Sequence, residues 1–229
     1  MIKVLNAGKT YKQGEQKVCA LRDVTFRIAK GEFLSIMGPS GSGKSTLLNL
    51  IGGLDQPSEG QIFLDGEPLH GISDDALTRI RRNKVGFIFQ FFNLLPILTA
   101  LENVSLPLLL DGVPMSRIKE RAVHLLESVG LAERIEHRPE QLSGGEMQRV
   151  AIARSLITEP AVLLADEPTG NLDSHKSQEI LQLLKKLNQD GQTIVMVTHD
   201  SSAASYGTRI IKLKDGILSE DITIGGESA

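Results

Sequence analysis

Cysteine is nearly absent from this sequence, since Cys19 is the only one in 229 residues. A single cysteine cannot form an intramolecular disulfide, and no metal site can rest on cysteine ligands. Cys19 lies between Val18 and Ala20. We therefore expect it to be a small packed side chain.

The sequence also lacks a long apolar segment. Its longest candidate, 94–110, is interrupted by Pro96, Glu102, Asn103 and Pro107, whereas a membrane span needs about 20 apolar residues. The first residues, MIKVLNAGKTY, contain Lys3 and no small-residue cleavage site, so we expect no signal peptide. We expect a cytosolic protein that serves a membrane, if at all, from outside the bilayer.

Neither sign of charge is in excess. The chain has 25 Lys and Arg against 28 Asp and Glu, a net charge of -3. A dedicated nucleic-acid binder normally carries a basic stripe, so we expect no nucleic-acid partner. The short basic run at 81–84 is interpreted as the solvated end of a helix.

The order of apolar patterns predicts an α/β fold. Alternating residues at 2–5 and 24–28 indicate strands with one wet face. Apolar runs at 33–37, 162–165, 194–197 and 210–213 indicate buried parallel strands, and helical patterns lie between them. From about 93 to 158 helical periodicity dominates. We therefore predict one domain, 1–229, with a nucleotide-binding core at 1–90 and 159–220 and an inserted helical subdomain at 91–158.

A glycine-rich segment between the strand at 33–37 and the next helix fits the phosphate-loop pattern G-x-x-x-x-G-K-[ST]. It consists of Gly38, Pro39, Ser40, Gly41, Ser42, Gly43, Lys44 and Ser45, followed by Thr46. Glycines let successive N–H groups point at phosphates, and the helix adds its positive N-terminus. Lys44 is predicted to reach the β- and γ-phosphates of ATP, and the Ser45 hydroxyl to bind Mg²⁺. The alternative is a glycine-rich turn that happens to precede a helix. The position between an apolar strand and a helix, which the phosphate-loop motif requires, favours the phosphate loop.

Two acidic residues, Asp166 and Glu167, follow the apolar run at 162–165. Taken alone, they are typical of the charge near a helix N-terminus. Because ligands of parallel sheets bind at the carboxyl ends of the strands, a phosphate loop upstream favours another interpretation. Asp166 is then predicted to hold Mg²⁺, and Glu167 to orient and deprotonate the attacking water.

The segment Leu142-Ser143-Gly144-Gly145-Glu146 makes the prediction specific. Ser143 and Glu146 form a capping-box pattern at the start of a helix, and the glycines expose helix N-terminal amides to an anion. With the following MQRVAIAR, the segment resembles the signature motif of ABC ATPases. In that family the signature closes over the γ-phosphate of a nucleotide held by the other subunit.

Four further motifs match this family in order. Tyr11 resembles the aromatic that stacks on adenine, and Gln90 the glutamine that senses Mg²⁺ and the attacking water. Asp173 lies in a segment that resembles the D-loop, which touches the opposite site. His199 matches the switch histidine that contacts the γ-phosphate. The resemblance covers about 2–220 and implies a P-loop NTPase, RecA-like, with a mostly parallel core sheet and an N-terminal antiparallel β subdomain.

Two positions depart from the family pattern. The signature has Glu146 where glutamine is usual, and the D-loop begins Gly170-Asn171 where Ser-Ala is commoner. The resemblance places both on the surface that faces a second copy, where they would tune closure. Neither departure removes a phosphate ligand.

The segments 52–55, 87–96 and 98–104 resemble the lipoprotein-releasing and macrolide-export branch. The resemblance implies a MgATP-dependent homodimer, peripheral on the cytoplasmic face of the membrane, that drives a permease docked near 90–95. Phe91, Phe92, Leu94 and Leu95 are candidates for that contact or for plain subdomain core. Two alternatives are a partner that moves no solute and instead regulates cell-wall enzymes or senses a drug, and nucleic-acid maintenance. The last usually requires a coiled-coil insertion or a second cassette, neither of which occurs here.

Overall fold

The computed structural model describes residues 1–14 and 16–224, which contain ten strands and seven α-helices. The strands are β1 (Ile2–Gln13), β2 (Gln16–Ile28), β3 (Phe33–Met37), β4 (Glu59–Leu64), β5 (Glu67–Pro68), β6 (Val85–Phe89), β7 (Val162–Asp166), β8 (Thr193–Val197), β9 (Arg209–Lys214) and β10 (Ile217–Thr223). The helices are α1 (Lys44–Ile51), α2 (Asp74–Lys84), α3 (Ala100–Leu110), α4 (Met115–Ser128), α5 (Gly144–Leu156), α6 (Ser174–Gln189) and α7 (Ser201–Ala204). The predicted range 1–229 includes residue 15 and residues 225–229, which lie outside the described part.

Six strands form the main sheet in the order β10-β9-β3-β8-β7-β6. The neighbours from β9 to β6 are parallel, and β10 is antiparallel to β9. Strand β3 pairs Ile36 with Val197 of β8, and Val197 pairs in turn with Asp166 of β7. The carboxyl ends of these three strands therefore meet at one edge of the sheet, where ligands of such sheets bind.

Both faces of this sheet are covered, as the apolar runs predict. Leu164 and Val195 point into one hydrophobic cluster, with α1 and the second sheet. Their neighbours Leu163 and Ile194 point into another, with α3, α4, α5 and α6. Successive residues of each strand thus serve opposite clusters, which is the period-two alternation of β structure. The three helices between β6 and β7, which are α3, α4 and α5, pack on the face of the sheet that carries Leu163 and Ile194.

The second sheet is antiparallel, in the order β2-β1-β4-β5. Its inward residues, among them Val4, Val24, Phe26 and Ile62, are buried in the same cluster as Leu47 and Leu50 of α1. The sheet therefore covers the helix that follows the phosphate loop. The alternation predicted at 24–28 is confirmed, because Thr25 and Arg27 are exposed between buried neighbours.

Some sequence predictions are corrected by the structure. Cys19 is exposed, not packed. It lies in the first half of β2, where residues on both faces of the strand are exposed. Strand β10 was not predicted; it is an edge strand whose residues are mostly exposed. The basic run at 81–84 does end a helix, α2.

Across the described ranges 1–14 and 16–224, no helix combines the length and the apolar character needed to cross a membrane.

Candidate functional site

The phosphate loop connects β3 to α1 at the carboxyl edge of the main sheet. Gly43 is the N-cap of α1 and has a φ of 97°, a conformation that favours glycine. A Cβ at Gly43 would lie 2.5 Å from the Ala20 carbonyl oxygen. The loop is therefore wedged against β2, and a side chain at this position would push it away.

Lys44, the first residue of α1, is buried within the loop. Its Nζ donates to the carbonyl oxygens of Gly38 at 2.8 Å and Pro39 at 2.9 Å. An ammonium group has three donors, and two of them are fixed by the loop itself. This arrangement ties the positive charge to two backbone carbonyl groups of the loop.

Ser45 and Asp166 join the phosphate loop to the end of β7. The Ser45 hydroxyl donates to Asp166 Oδ1 at 3.3 Å. Burial raises the pKa of Asp166, and the neighbouring Glu167 carboxylate adds to the rise. Hydroxyl and carboxylate oxygens are ligands that Mg²⁺ takes together with waters and substrate phosphates. The donor set therefore fits a magnesium ion.

Glu167 and His199 face each other across the ends of β7 and β8. Glu167 has a φ of 45°, and its N–H donates to the Val197 carbonyl oxygen at 3.0 Å. Its Oε1 lies 3.0 Å from His199 Nδ1. The carboxylate is mostly buried, with 24% of its side chain exposed, against 68% for His199. A shielded carboxylate beside an accessible imidazole is suited to orienting a water molecule and moving its proton.

One cavity of about 610 Å³ unites these groups. It is lined by Ala20, Ser40, Gly41, Gly43, Lys44, Ser45, Thr46, Glu167 and His199. Gly38, Pro39 and Asp166 hold lining residues through the bonds above, and Ser42 is a buried part of the loop. Residues predicted from three separate motifs are thus brought to one site.

Gln90 follows β6 and contacts the segment after β7. Its Nε2 donates to Asn171 Oδ1 at 3.2 Å, and Asn171 Nδ2 donates to the Gln90 carbonyl oxygen at 2.9 Å. Gln90 is a predicted site residue, but its contact with Asn171 was not predicted. The two residues are 81 positions apart, and no local pattern indicates the pairing.

Tyr11 projects from β1 and is 38% exposed. Its hydroxyl donates to Asp55 Oδ2 at 3.1 Å, and Lys9 Nζ lies 5.0 Å from its ring centroid and 2.5 Å from Asp55 Oδ1. Burial raises the pKa of Tyr11, while the Thr46 hydroxyl lowers it. The ring is therefore held by Lys9 and Asp55, two residues not predicted from the sequence, and it lies beside Thr46, which lines the cavity.

The signature segment lies outside this cavity. Ser143 and Glu146 form the predicted capping box at the start of α5, and Arg134 Nε donates to Glu146 Oε1 at 3.3 Å. Asp173 caps α6 by accepting from the Lys176 N–H at 2.9 Å. A Cβ at Gly144 would lie 3.1 Å from Leu172 Cδ2, so the signature and the segment around Asp173 are neighbours on one surface.

Gln148 is a further residue that sequence reasoning missed. It is fully buried on α5, and its Nε2 donates to the Pro168 carbonyl oxygen at 2.7 Å. Pro168 directly follows Glu167, so this bond connects the signature helix to the end of β7. A glutamine within a helix carries no sequence signal of such a contact.

The comparisons with known proteins agree with this geometry. The family described as ABC transporter matches residues 21–170. This chain belongs to the ABC transporter family. It is an ATP-binding ATPase with the P-loop α/β fold, so the predicted family, fold class and enzyme activity are confirmed.

Some relatives match this ABC ATPase over nearly their whole length. In others the matching region is only part of a longer protein. The uncharacterized ABC transporter ATP-binding protein MJ0796 of Methanocaldococcus jannaschii is 54% identical over 99% of this chain and 98% of that protein. The macrolide export ATP-binding/permease protein MacB of Shewanella sp. W3-18-1 is 48% identical over 96% of this chain. This ABC ATPase covers only 34% of MacB.

A solved structure of MJ0796 superposes on this ABC ATPase with a TM-score of 0.90 and 51% identity. The alignment covers 99% of this chain and 100% of that chain. The MJ0796 structure is a dimer in a post-hydrolysis state, bound to ADP and Pi.

Proposed function

We propose that this ABC ATPase works as a homodimer in which two chains enclose two ATP molecules head-to-tail and hydrolysis drives a membrane permease. One observation carries the proposal. The phosphate loop, Glu167 and His199 line one cavity, whereas the signature residues lie elsewhere on the same chain. A second copy is therefore the natural source of a signature for each site.

ATP binding is assigned to the loop and to Tyr11. The backbone N–H groups of 38 and 40–46 and the Lys44 ammonium receive the phosphates, and α1 adds its positive N-terminus. The Tyr11 ring, steadied by Asp55 and Lys9, stacks on the adenine base. Lys9 Nζ lies over the Tyr11 ring, and the 38% exposure of Tyr11 leaves ring surface for the base.

Hydrolysis is assigned to groups at the ends of β6, β7 and β8. Glu167 orients and deprotonates the attacking water, and His199 contacts the γ-phosphate. Ser45, Asp166 and Gln90 would hold Mg²⁺, which neutralises phosphate charge when bound. The 3.3 Å contact between Ser45 and Asp166 supports this set.

Dimerisation completes each site. Residues Ser143, Gly144, Gly145 and Glu146 of one copy would close on the γ-phosphate held by the other, with Asp173 beside it. The dimeric structures of MJ0796 support the pairing of two copies. ATP then favours the closed state only by its greater affinity for that state, and hydrolysis removes this preference.

The permease is proposed to dock on the segment 90–95. Phe91 is 73% exposed and Leu95 is 44% exposed, while Phe92 and Leu94 are partly buried. Beside this segment lies a groove of about 480 Å³, whose lining includes Phe87, Phe89 and Leu110. Exposed apolar residues next to a groove are typical of a protein contact. This docking would hold the ATPase on the cytoplasmic face of the membrane.

The similarity to MacB supports the export or lipoprotein-releasing branch for the partner. The same coupling also serves a permease-like protein that transmits force without moving a solute. Co-purification and reconstitution with the protein encoded by the genomic neighbour distinguishes transport from such a role.

The dimer is tested by light scattering of the Glu167→Gln variant, with and without MgATP. We expect the mass of one chain, 24.9 kDa, to double only with MgATP, because bound ATP is not hydrolysed. Lys44→Ala is the control and should remain a monomer. A Glu167→Gln protein that binds ATP and stays a monomer would contradict closure by ATP alone.

A further inference from the structure

Gln90 and Asn171 form a reciprocal pair of hydrogen bonds. The Gln90 side-chain amide donates to the Asn171 side chain at 3.2 Å, and the Asn171 amide donates to the Gln90 main chain at 2.9 Å. Asn171 therefore restrains both the backbone and the side chain of Gln90. A restraint at both points fixes where the Gln90 side chain can reach.

Gly170 makes room for this pair. A Cβ at Gly170 would lie 2.8 Å from Gln90 Nε2 and 3.1 Å from its Cδ. Any side chain at position 170 would thus displace the Gln90 amide. The two departures from the usual D-loop pattern fit each other, because glycine admits the Gln90 amide and asparagine binds it.

Asn171 is in turn held close to Glu167. The Gly170 N–H donates to the Glu167 carbonyl oxygen at 3.0 Å, and the Leu172 N–H to the Thr169 carbonyl oxygen at 3.1 Å. These turns fix Asn171 relative to the end of β7. Leu172 also lies against Gly144 of the signature, so the turn extends from the cavity to the surface assigned to the second copy.

We propose that Asn171 is a positioning residue that holds Gln90 in place for hydrolysis and ties its position to the dimer-facing surface. The inference rests on the proposed role of Gln90 at the metal and the attacking water. Asn171 acts through Gln90, because within residues 1–14 and 16–224 its side-chain hydrogen bonds go to Gln90.

The first test is Asn171→Ala in steady-state ATPase assays. Loss of two hydrogen bonds that act on one reacting group should lower kcat roughly 5- to 30-fold. KM for ATP should change less than twofold, because in the described part of the chain the Asn171 side chain is hydrogen-bonded to Gln90 and not to Tyr11 or the phosphate loop. A parallel fall of kcat, ATP affinity and melting temperature would indicate a merely structural role and overturn the proposal.

Two further variants separate positioning from other effects. Gly170→Ala keeps Asn171 but crowds the Gln90 amide, so it should reproduce the fall in kcat. In a Gln90→Ala background, Asn171→Ala should cause little additional loss, since residues that act as one unit are not additive. Fully additive losses would mean that Asn171 acts elsewhere, and would overturn the proposal.

A spectroscopic measurement removes the dependence on activity. The side-chain amide signal of Gln90, assigned by its loss in Gln90→Ala, should shift in Asn171→Ala protein without nucleotide. An unchanged signal would overturn the contact itself. ATP hydrolysis by the unsubstituted protein and its loss in Glu167→Gln test the proposed function separately. If both are observed but the Asn171 variants behave like the unsubstituted protein, only the proposed role of Asn171 is contradicted.

Discussion

His199 Nδ1 lies 3.0 Å from Glu167 Oε1, and this contact joins the ends of two adjacent parallel strands. Strands β7 and β8 pair in register through Asp166 and Val197, so the residues that follow them emerge side by side. The sheet thus places an acid and an imidazole together without any help from sequence proximity.

Glu167→Gln should still bind ATP but lose hydrolysis by roughly 10²- to 10⁴-fold, the usual contribution of a positioned general base. Glutamine keeps the size and an oxygen for the contact with His199, but it cannot accept a proton from water. Phosphate release and binding of a fluorescent ATP analogue measure the two effects. Glu220→Gln, at an exposed ion pair with Lys212, is the control. Normal turnover in Glu167→Gln would mean that another group activates the water.

Gly43→Ala should lower stability more than Gly41→Ala. Both glycines have positive φ, 97° and 77°, which costs other residues about 1–2 kcal/mol. Only at Gly43 would the new Cβ meet backbone, the Ala20 carbonyl oxygen. No atom lies within 4 Å at Gly41.

Thermal unfolding measures the difference in stability between these two variants, and an ATP-binding assay measures the effect on the loop. We expect weaker binding in Gly43→Ala, because α1 and Lys44 move with the loop. Equal melting temperatures for the two variants would contradict the close packing of the loop on β2.

The residues that line the cavity are recognisable in the sequence because the motifs that contain them are local. The phosphate loop, the acids after β7 and the histidine after β8 each follow an apolar strand, and parallel strands bring their carboxyl ends together. The partners of Tyr11 and Gln90 could not be predicted in this way. Asp55 is 44 positions from Tyr11, and the polar residues concerned show no periodic pattern.

Exposure explains two other differences between sequence and structure. Strand β10 has few buried residues, so hydrophobic periodicity gives little signal there. Cys19 lies in an apolar neighbourhood of the sequence but in the first half of β2, whose residues are mostly exposed. The boundaries of the helical subdomain, 91–158, stay a prediction.

Glu146→Gln should reduce stability at neutral pH but not in acid. The Ser143 N–H donates to Glu146 Oε2 at 2.8 Å, which, with Arg134, holds the pKa of Glu146 below its ordinary value of 4.5. A folded-state pKa below the unfolded one means that ionised Glu146 stabilises the fold above about pH 4.5. This contribution is lost as the pH falls through the folded-state pKa.

At pH 7 we expect the free energy of unfolding of Glu146→Gln to fall by about 0.3–1 kcal/mol, as for other charges at helix N-termini. Denaturant unfolding at neutral and acid pH measures the difference, which should shrink below pH 4.5. Glu136→Gln, at an exposed glutamate on a nearby turn, is the control. A difference that is independent of pH would contradict a role for the charge.

Phe91→Ser should abolish association with the permease while leaving the melting temperature unchanged. Phe91 is 73% exposed, so its removal takes little apolar area from the core, but a partner would bury the whole ring. Co-purification with the membrane protein encoded by the genomic neighbour measures the association. Ile217→Ser removes a comparable exposed side chain, 48% exposed on β10, away from the groove, and should retain the partner. Loss of association in both variants would indicate a general effect of surface polarity, and retention in both would place the docking surface elsewhere on the chain.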